Sequence, residues 1–167
     1  MDKELFLQKY EEVYRDMYRY AFYNLGHRED AEDAVSEAVT DAYKSRASLK
    51  EIDAFKGWIF TILKRKCIAK RKDYATKKAD SLDESHTDDE GTTLADTLRD
   101  ETKQTEESTM IRQLFMTLSE EDRQIITLHI FGGYKSKEIG DIMGMNDATV
   151  RSREHRALEK LRQELIT

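Results

Sequence analysis

Proline is missing from the chain altogether, glycine occurs only 7 times, and there is 1 cysteine among 167 residues. Without proline nothing forces a helix to break, and few glycines leave little room for left-handed turns. Alternating β-branched runs, the mark of half-buried strands, are absent too. These gaps predict an all-α chain. The lone Cys67 excludes an internal disulfide and leads us to expect a cytoplasmic protein. No apolar run approaches the ~20 residues of a membrane span. Met-Asp-Lys-Glu at the start is no signal peptide, so membrane insertion is not expected. His27, His86, His129 and His155 are scattered, Cys67 has no metal-ligand spacing around it, and no glycine-rich phosphate loop appears. We therefore expect no catalytic site, metal, cofactor or small-molecule substrate.

What is present is charge, at 37% of residues against 38% hydrophobic. The net charge of −6 argues against nucleic acid until it is divided along the chain. Residues 1–63 carry −4, the block KRKCIAKRK at 64–72 carries +6, residues 73–108 carry −8, and 109–167 balance at zero. Local field governs binding more than the total does. The strip 73–108 is rich in Asp, Glu, Ser and Thr and poor in periodic apolar residues, as in a flexible acidic linker. Leu94 and Leu98 allow one short helical turn there. The expected organisation is two small helical domains, 1–72 and 109–167, tethered by this strip.

In the first domain, Phe6, Tyr10, Val13, Met17, Ala21 and Leu25 mark a helix over 3–25 that stops at Gly26. Ala31, Ala34, Val35, Ala38, Val39, Ala42 and Tyr43 mark a second helix, with Asp30, Asp33, Ser36, Glu37, Thr40 and Asp41 on its outer face. Phe55, Trp58, Ile59, Ile62 and Leu63 begin a third that runs into the basic block. The spacing of Trp58 with Phe55 and Ile62 makes it a core residue rather than a stacking platform.

In the second domain, Ser119 precedes three acids and can cap a helix that runs to Gly132 and Gly133. Ser136 can cap a short helix through Ile139, Ile142 and Met143, Gly144 offers a left-handed turn, and Asn146 can cap a last helix. In DATVRSREHRALEKLR that last helix should bury Val150, Ala157, Leu158, Leu161 and Leu165. Its opposite side holds Ala148, Thr149, Ser152, His155, Arg156 and Glu159, with Arg151 and Arg153 at the edges. A plain solvated helix mixes both signs of charge, whereas this outer face is small, hydroxylic and basic. A short helix, a glycine turn and a basic helix form a helix-turn-helix, whose second helix enters the DNA major groove. Gly140 fits as well, since a side chain there would crowd the crossing.

The stretch LSEEDRQIITLHIFGGYKSKEIGDIMGMNDATVRSREHRALEKLR resembles the C-terminal domain of bacterial RNA polymerase sigma factors of the extracytoplasmic-function group. REDAEDAVSEAVTDAY, followed by FKGWIFTIL and a basic run, resembles the same family's N-terminal region. The resemblance implies a factor that binds core RNA polymerase and directs initiation at promoter DNA through −10 and −35 elements. It implies core-polymerase contacts at Asp30, Asp33 and Glu37. For the −10 element it implies Ser48 to Phe55 as a base-receiving loop, with Lys64, Arg65, Lys66, Lys70, Arg71 and Lys72 as cations for the backbone. For the −35 element it implies Arg151, Ser152, His155 and Arg156 as readers, and Thr149, Lys135 and Arg153 in phosphate contact or internal pairing. An anti-sigma factor is an implied further partner.

The chain departs from the family pattern at Ser36, where Gln is common, and at Tyr43, where Trp is common. Arg65 and Ala69 replace an Asn and an Asp near the −10 determinants, so the usual −10 preference does not carry over. His155 likewise leaves the −35 sequence open. The alternative reading is a stand-alone helix-turn-helix regulator. That would need a dimer placing two recognition helices a DNA turn apart, and no spare apolar helix is evident for it.

Overall fold

The computed structural model describes residues 1–80 and 106–166, all helices, turns and short connections with no strand among them. Helix α1 (Lys3–Leu25) is capped by Asp2, whose carboxylate accepts the Leu5 N–H at 2.8 Å. It ends at Gly26 with φ 78°, a left-handed conformation natural to glycine. Helix α2 (Arg28–Lys44) follows at once and buries a face of small residues, Ala31, Ala34, Ala38 and Ala42, with Val35. Those alanines let α1, α2 and α3 (Phe55–Asp80) approach closely into one bundle. Phe6, Tyr43, Phe55 and Trp58 knit its open end by edge-on and tilted ring contacts. Trp58 is half-buried against this core, as its spacing predicts.

The second part comprises α4 (Glu106–Met116), α5 (Glu120–Ile130), α6 (Ser136–Met143) and α7 (Asp147–Ile166). Ser119 caps α5 by accepting the Asp122 N–H at 3.2 Å, and Asn146 caps α7 by accepting the Thr149 N–H at 2.7 Å. Ser136 does not cap α6. It is the first helical residue, and the Glu138 carboxylate folds back onto the Lys135 N–H at 3.0 Å instead. Gly144 closes α6 with φ 72°. Gly140 is constrained by the turn backbone rather than by a crossing helix: a Cβ there would stand 2.5 Å from the Met145 carbonyl oxygen.

Two helices run past the residues at which the sequence expectation placed the acidic linker. Helix α3 continues past residue 72 to Asp80, and α4 begins at Glu106, ahead of 109. Neither stretch contains a helix-breaking residue, and the shift to acidic composition does not itself end a helix. The rest of the expected linker, with Leu94 and Leu98, lies outside the described residues. The apolar stripe of α7 is also shorter than expected. Val150 and Ala157 are buried and Leu161 is half-buried, but Leu158 and Leu165 are 45% and 60% exposed because no described element reaches over them.

The two parts share one apolar core rather than standing apart. The last turns of α1, Tyr20 to Leu25, are buried on every side, because α4 and α5 cover the face that α2 and α3 leave bare. Tyr23 stacks on Phe131 at 5.4 Å and leans on Phe115 at 5.1 Å, and Phe60 meets Tyr134 edge-on at 5.9 Å.

Candidate nucleic-acid interface

The turn between α6 and α7 fixes the recognition helix. The Gly140 carbonyl accepts the Met145 N–H at 2.9 Å, and Val150, fully buried, anchors the first turn of α7 against the domain. With Val150 and Ala157 inward, Thr149, Arg151, Ser152, His155 and Arg156 all face solvent. Two side chains in this group are lightly tethered: Arg151 lies 3.6 Å from Asp147, and Arg156 Nε donates to the Ser152 carbonyl at 3.4 Å. Both leave guanidinium donors free for a planar two-point contact with guanine O6 and N7.

Arg153 and Lys160 do different work. Arg153 pairs with Glu121 and lies 3.6 Å from Asp122, tying α7 to the first turn of α5. Lys160 donates to the Thr117 carbonyl at 2.8 Å. Internal pairing is therefore the state of Arg153 here. Arg153, Arg156 and Lys160 also line a cleft beside Ser119, together with the Asp122 carboxylate that Arg153 faces. Lys135 is exposed at the start of α6. Glu154 turns toward the domain, 3.7 Å from His129.

In the first part, the basic block lies along α3 beside α2. Arg65 and Lys72 are exposed, and Arg71 is half-buried. Lys66 binds Asp41 at 2.7 Å, and this carboxylate raises the pKa of the ammonium. Lys70 lies 3.3 Å from Glu37. Lys64 is half-buried and donates to the Ile142 carbonyl of α6 at 2.7 Å; burial, then Arg65, lowers its pKa. Asp33 and Glu37 are exposed on the outer face of α2, and Asp30 is half-buried near its start.

Ser48 is exposed in a short 3-10 turn, its hydroxyl donating to the Ser45 carbonyl at 2.7 Å. Phe55 differs from expectation: it is 2% exposed, held edge-on to Phe6 at 5.6 Å, and so is a core residue with no face to offer a base. The structure thus sets Thr149, Arg151, Ser152, His155 and Arg156 on one open face of α7, ties Arg153 to α5, leaves Lys135 before α6, and spreads the cations expected at the −10 element along α3. It seats three of that group's lysines on carboxylates or a carbonyl.

Sequence periodicity did not single out the buried polar residues of α5, Arg123, Gln124 and Thr127. Thr127 Oγ1 accepts from Asn24 Nδ2 of α1 at 2.8 Å, and Arg123 Nη1 donates to the Leu118 carbonyl at 2.7 Å. Asn24 closing the aromatic run YRYAFYNL was the one available signal.

Comparison with known proteins bears on both parts. Residues 10–76 match the family described as Sigma-70 region 2, and residues 108–161 match Sigma-70, region 4. RNA polymerase sigma factor SigV of Bacillus subtilis is 30% identical, aligned over 90% of this chain and 85% of its own length. ECF RNA polymerase sigma factor SigL of Mycobacterium tuberculosis is 27% identical, over 92% and 84%. The fold is similar to that in the co-crystal structure of the sigma factor RpoE with the anti-sigma factor NepR from Bartonella quintana. The TM-score is 0.76, with 22% identity and 97% of each chain covered.

Proposed function

The chain belongs to the sigma-70 family, in its extracytoplasmic-function group, and from that membership we propose how its surfaces divide the work. As a sigma factor it binds core RNA polymerase and directs promoter-specific transcription initiation, supplying specificity and no covalent chemistry of its own. The exposed basic and hydroxylic face of α7 is the observation that carries the assignment of −35 recognition to Arg151, Ser152, His155 and Arg156. Lys135, Thr149 and Arg153 hold the flanking phosphates. These contacts fix register and salt dependence without carrying sequence information.

The basic rows of α3, Lys64 to Lys72, hold the backbone of the −10 region while the loop at Ser48 receives displaced bases. The core of the bundle keeps Phe55 out of that role. Extruding a base costs a few kcal/mol, so the cations must hold the opened strand long enough for the pocket to capture it. Asp30, Asp33 and Glu37 form the acidic face offered to the polymerase. An anti-sigma protein is a proposed further partner. Of the described helices none is long and apolar enough to cross a membrane, and the site of action is the cell interior, with the polymerase.

Binding to purified bacterial core RNA polymerase tests this reading, with Glu37→Lys as the control. The expected result is a complex that displaces another sigma factor and is weakened about tenfold or more by the charge reversal, as loss of a close interfacial ion pair predicts. Tight binding to duplex DNA with no binding to core would overturn it in favour of a regulator acting alone.

A further inference from the structure

We propose that Arg65, rather than holding the strand backbone with the rest of its row, reads a guanine of the −10 element through the edge of its guanidinium. This rests on the sigma-factor reading above. The cations in the middle of α3 point in three directions. Lys64 Nζ donates to the Ile142 carbonyl of α6 at 2.7 Å. Lys66 and Lys70 lie against α2, on Asp41 at 2.7 Å and Glu37 at 3.3 Å. Arg65 takes the remaining side of the helix. It is exposed and, among the described residues, meets no carboxylate or carbonyl.

What surrounds Arg65 suits a base better than a phosphate. On a helix the positions three and four away in each direction are a residue's neighbours, and here they are Thr61, Ile62, Ile68 and Ala69. None of them is charged. Ile62 and Ile68 are half-buried and leave part of their apolar surface open, while Ala69 is exposed and too short to reach over the guanidinium. Thr61 spends its hydroxyl proton on its own helix, donating to the Gly57 carbonyl at 2.9 Å. Of this group, therefore, Arg65 alone offers donors to a ligand. A phosphate backbone is held by summed charge, which favours several cations together. A planar fork beside small and apolar neighbours instead fits a flat base, with the ring against the apolar surface and its edge on the fork. Lys72 lies two turns further along the same face and is exposed, so it remains for the backbone beside that base.

The donor count selects the base. A guanidinium is a donor at every nitrogen and keeps its charge in any ordinary buffer. Guanine presents two acceptors on one edge, O6 and N7, whereas adenine pairs an acceptor with a donor, cytosine presents a donor, and thymine a single acceptor beside a methyl group. Only guanine fills both arms of the fork. Lysine at this position would keep the charge and lose the paired geometry.

The test uses the full chain with core RNA polymerase on promoters randomised across the −10 block, read by the 5′ ends of the transcripts. The native chain should select guanine at one position of that block. Arg65→Lys should cut the guanine preference there by roughly 5- to 150-fold, leaving the other positions and the −35 block as they were. Arg65→Gln, whose amide carries one donor and one acceptor, should move the preference at that position to adenine. Since residue 65 is exposed, neither substitution should shift the melting temperature. A −10 block without a guanine position would overturn the proposal. So would variants that weaken every sequence alike, the behaviour of a cation on the backbone, or an Arg65→Gln chain that still selects guanine. These outcomes leave a chain that still directs initiation. If the native chain directs none from core polymerase, the sigma reading itself has failed and this proposal falls with it.

Discussion

Arg151 and Arg153 stand two positions apart on α7 and are set to different tasks by what lies across from each. Arg151 has a side chain 64% exposed and only a loose partner in Asp147, whereas Arg153 is 33% exposed and clasped by Glu121 and Asp122. Arg151→Ala should relax specificity at one position of the −35 element by ~1–3 kcal/mol of discrimination while leaving thermal stability almost unchanged. Arg153→Ala should do the reverse: a loss of stability of at most about 1 kcal/mol, as for a partly exposed pair, and weaker binding that is the same for all sequences. Melting curves together with binding to a set of single-base variants of a bound duplex separate the two. At this scale the sequence was informative wherever helical periodicity alone decides exposure, as for Ser152 and His155. It left phosphate contact and internal pairing both open for Arg153, which a partner from elsewhere in the chain decides. The apolar spacing that marks Phe55 as core prevails over the base-receiving loop that the resemblance implies, Phe6 lying edge-on to it from forty-nine residues earlier.

Among the elements, the turn of the helix-turn-helix is set by its backbone, while Val150 and Arg153 seat α7 on the domain. The turn brings the Met145 carbonyl to 2.5 Å from where a Cβ of residue 140 would lie, and it is hydrogen-bonded on both sides of that point. Gly140→Ala should therefore force the turn open and destabilise the chain by ~1–3 kcal/mol, the usual cost of overpacking. It should also reduce −35 duplex binding by more than the folded fraction explains, because α7 is re-aimed. Urea unfolding beside duplex binding checks both. The helices themselves were legible because apolar spacing, the Ser119 and Asn146 caps and the left-handed glycine at Gly26 agree with one another. Their limits were less so. The run after residue 72 changes charge but not helix propensity, so α3 continues, and the leucines of α7 beyond Ala157 keep the period without finding a neighbour.

The whole molecule depends on a contact that periodicity cannot reveal, since a helical pattern reports which face is apolar and not what covers it. The aromatic density of YRYAFYNL, buried in α1 except at Arg19, is the trace this contact leaves in the sequence. Tyr20, Tyr23 and Tyr134 lie at it, and burial raises the pKa of each above the ordinary tyrosine value. Once separated and hydrated, these phenols ionise from about pH 10, while packed they hold their protons to higher pH. Their contribution is therefore complete below pH 10 and is lost as pH climbs above it. Arg123 acts in the opposite sense, since burial, with Arg71 second, brings its pKa down to about 10. Three phenols against one guanidinium leave a net loss, so the urea midpoint should fall between pH 9 and pH 11, and hydrodynamic radius should rise before helix content is lost.

The most direct measurement is to map the 5′ ends of transcripts made by core polymerase plus this chain on a randomised promoter library, for the native chain and for Arg151→Ala. The account predicts transcripts that require the chain and share two sequence blocks upstream of their starts. The substitution should relax one position of the upstream block and leave the downstream block unchanged. Transcripts whose starts do not depend on the chain, or a substitution that alters the downstream block instead, would contradict it.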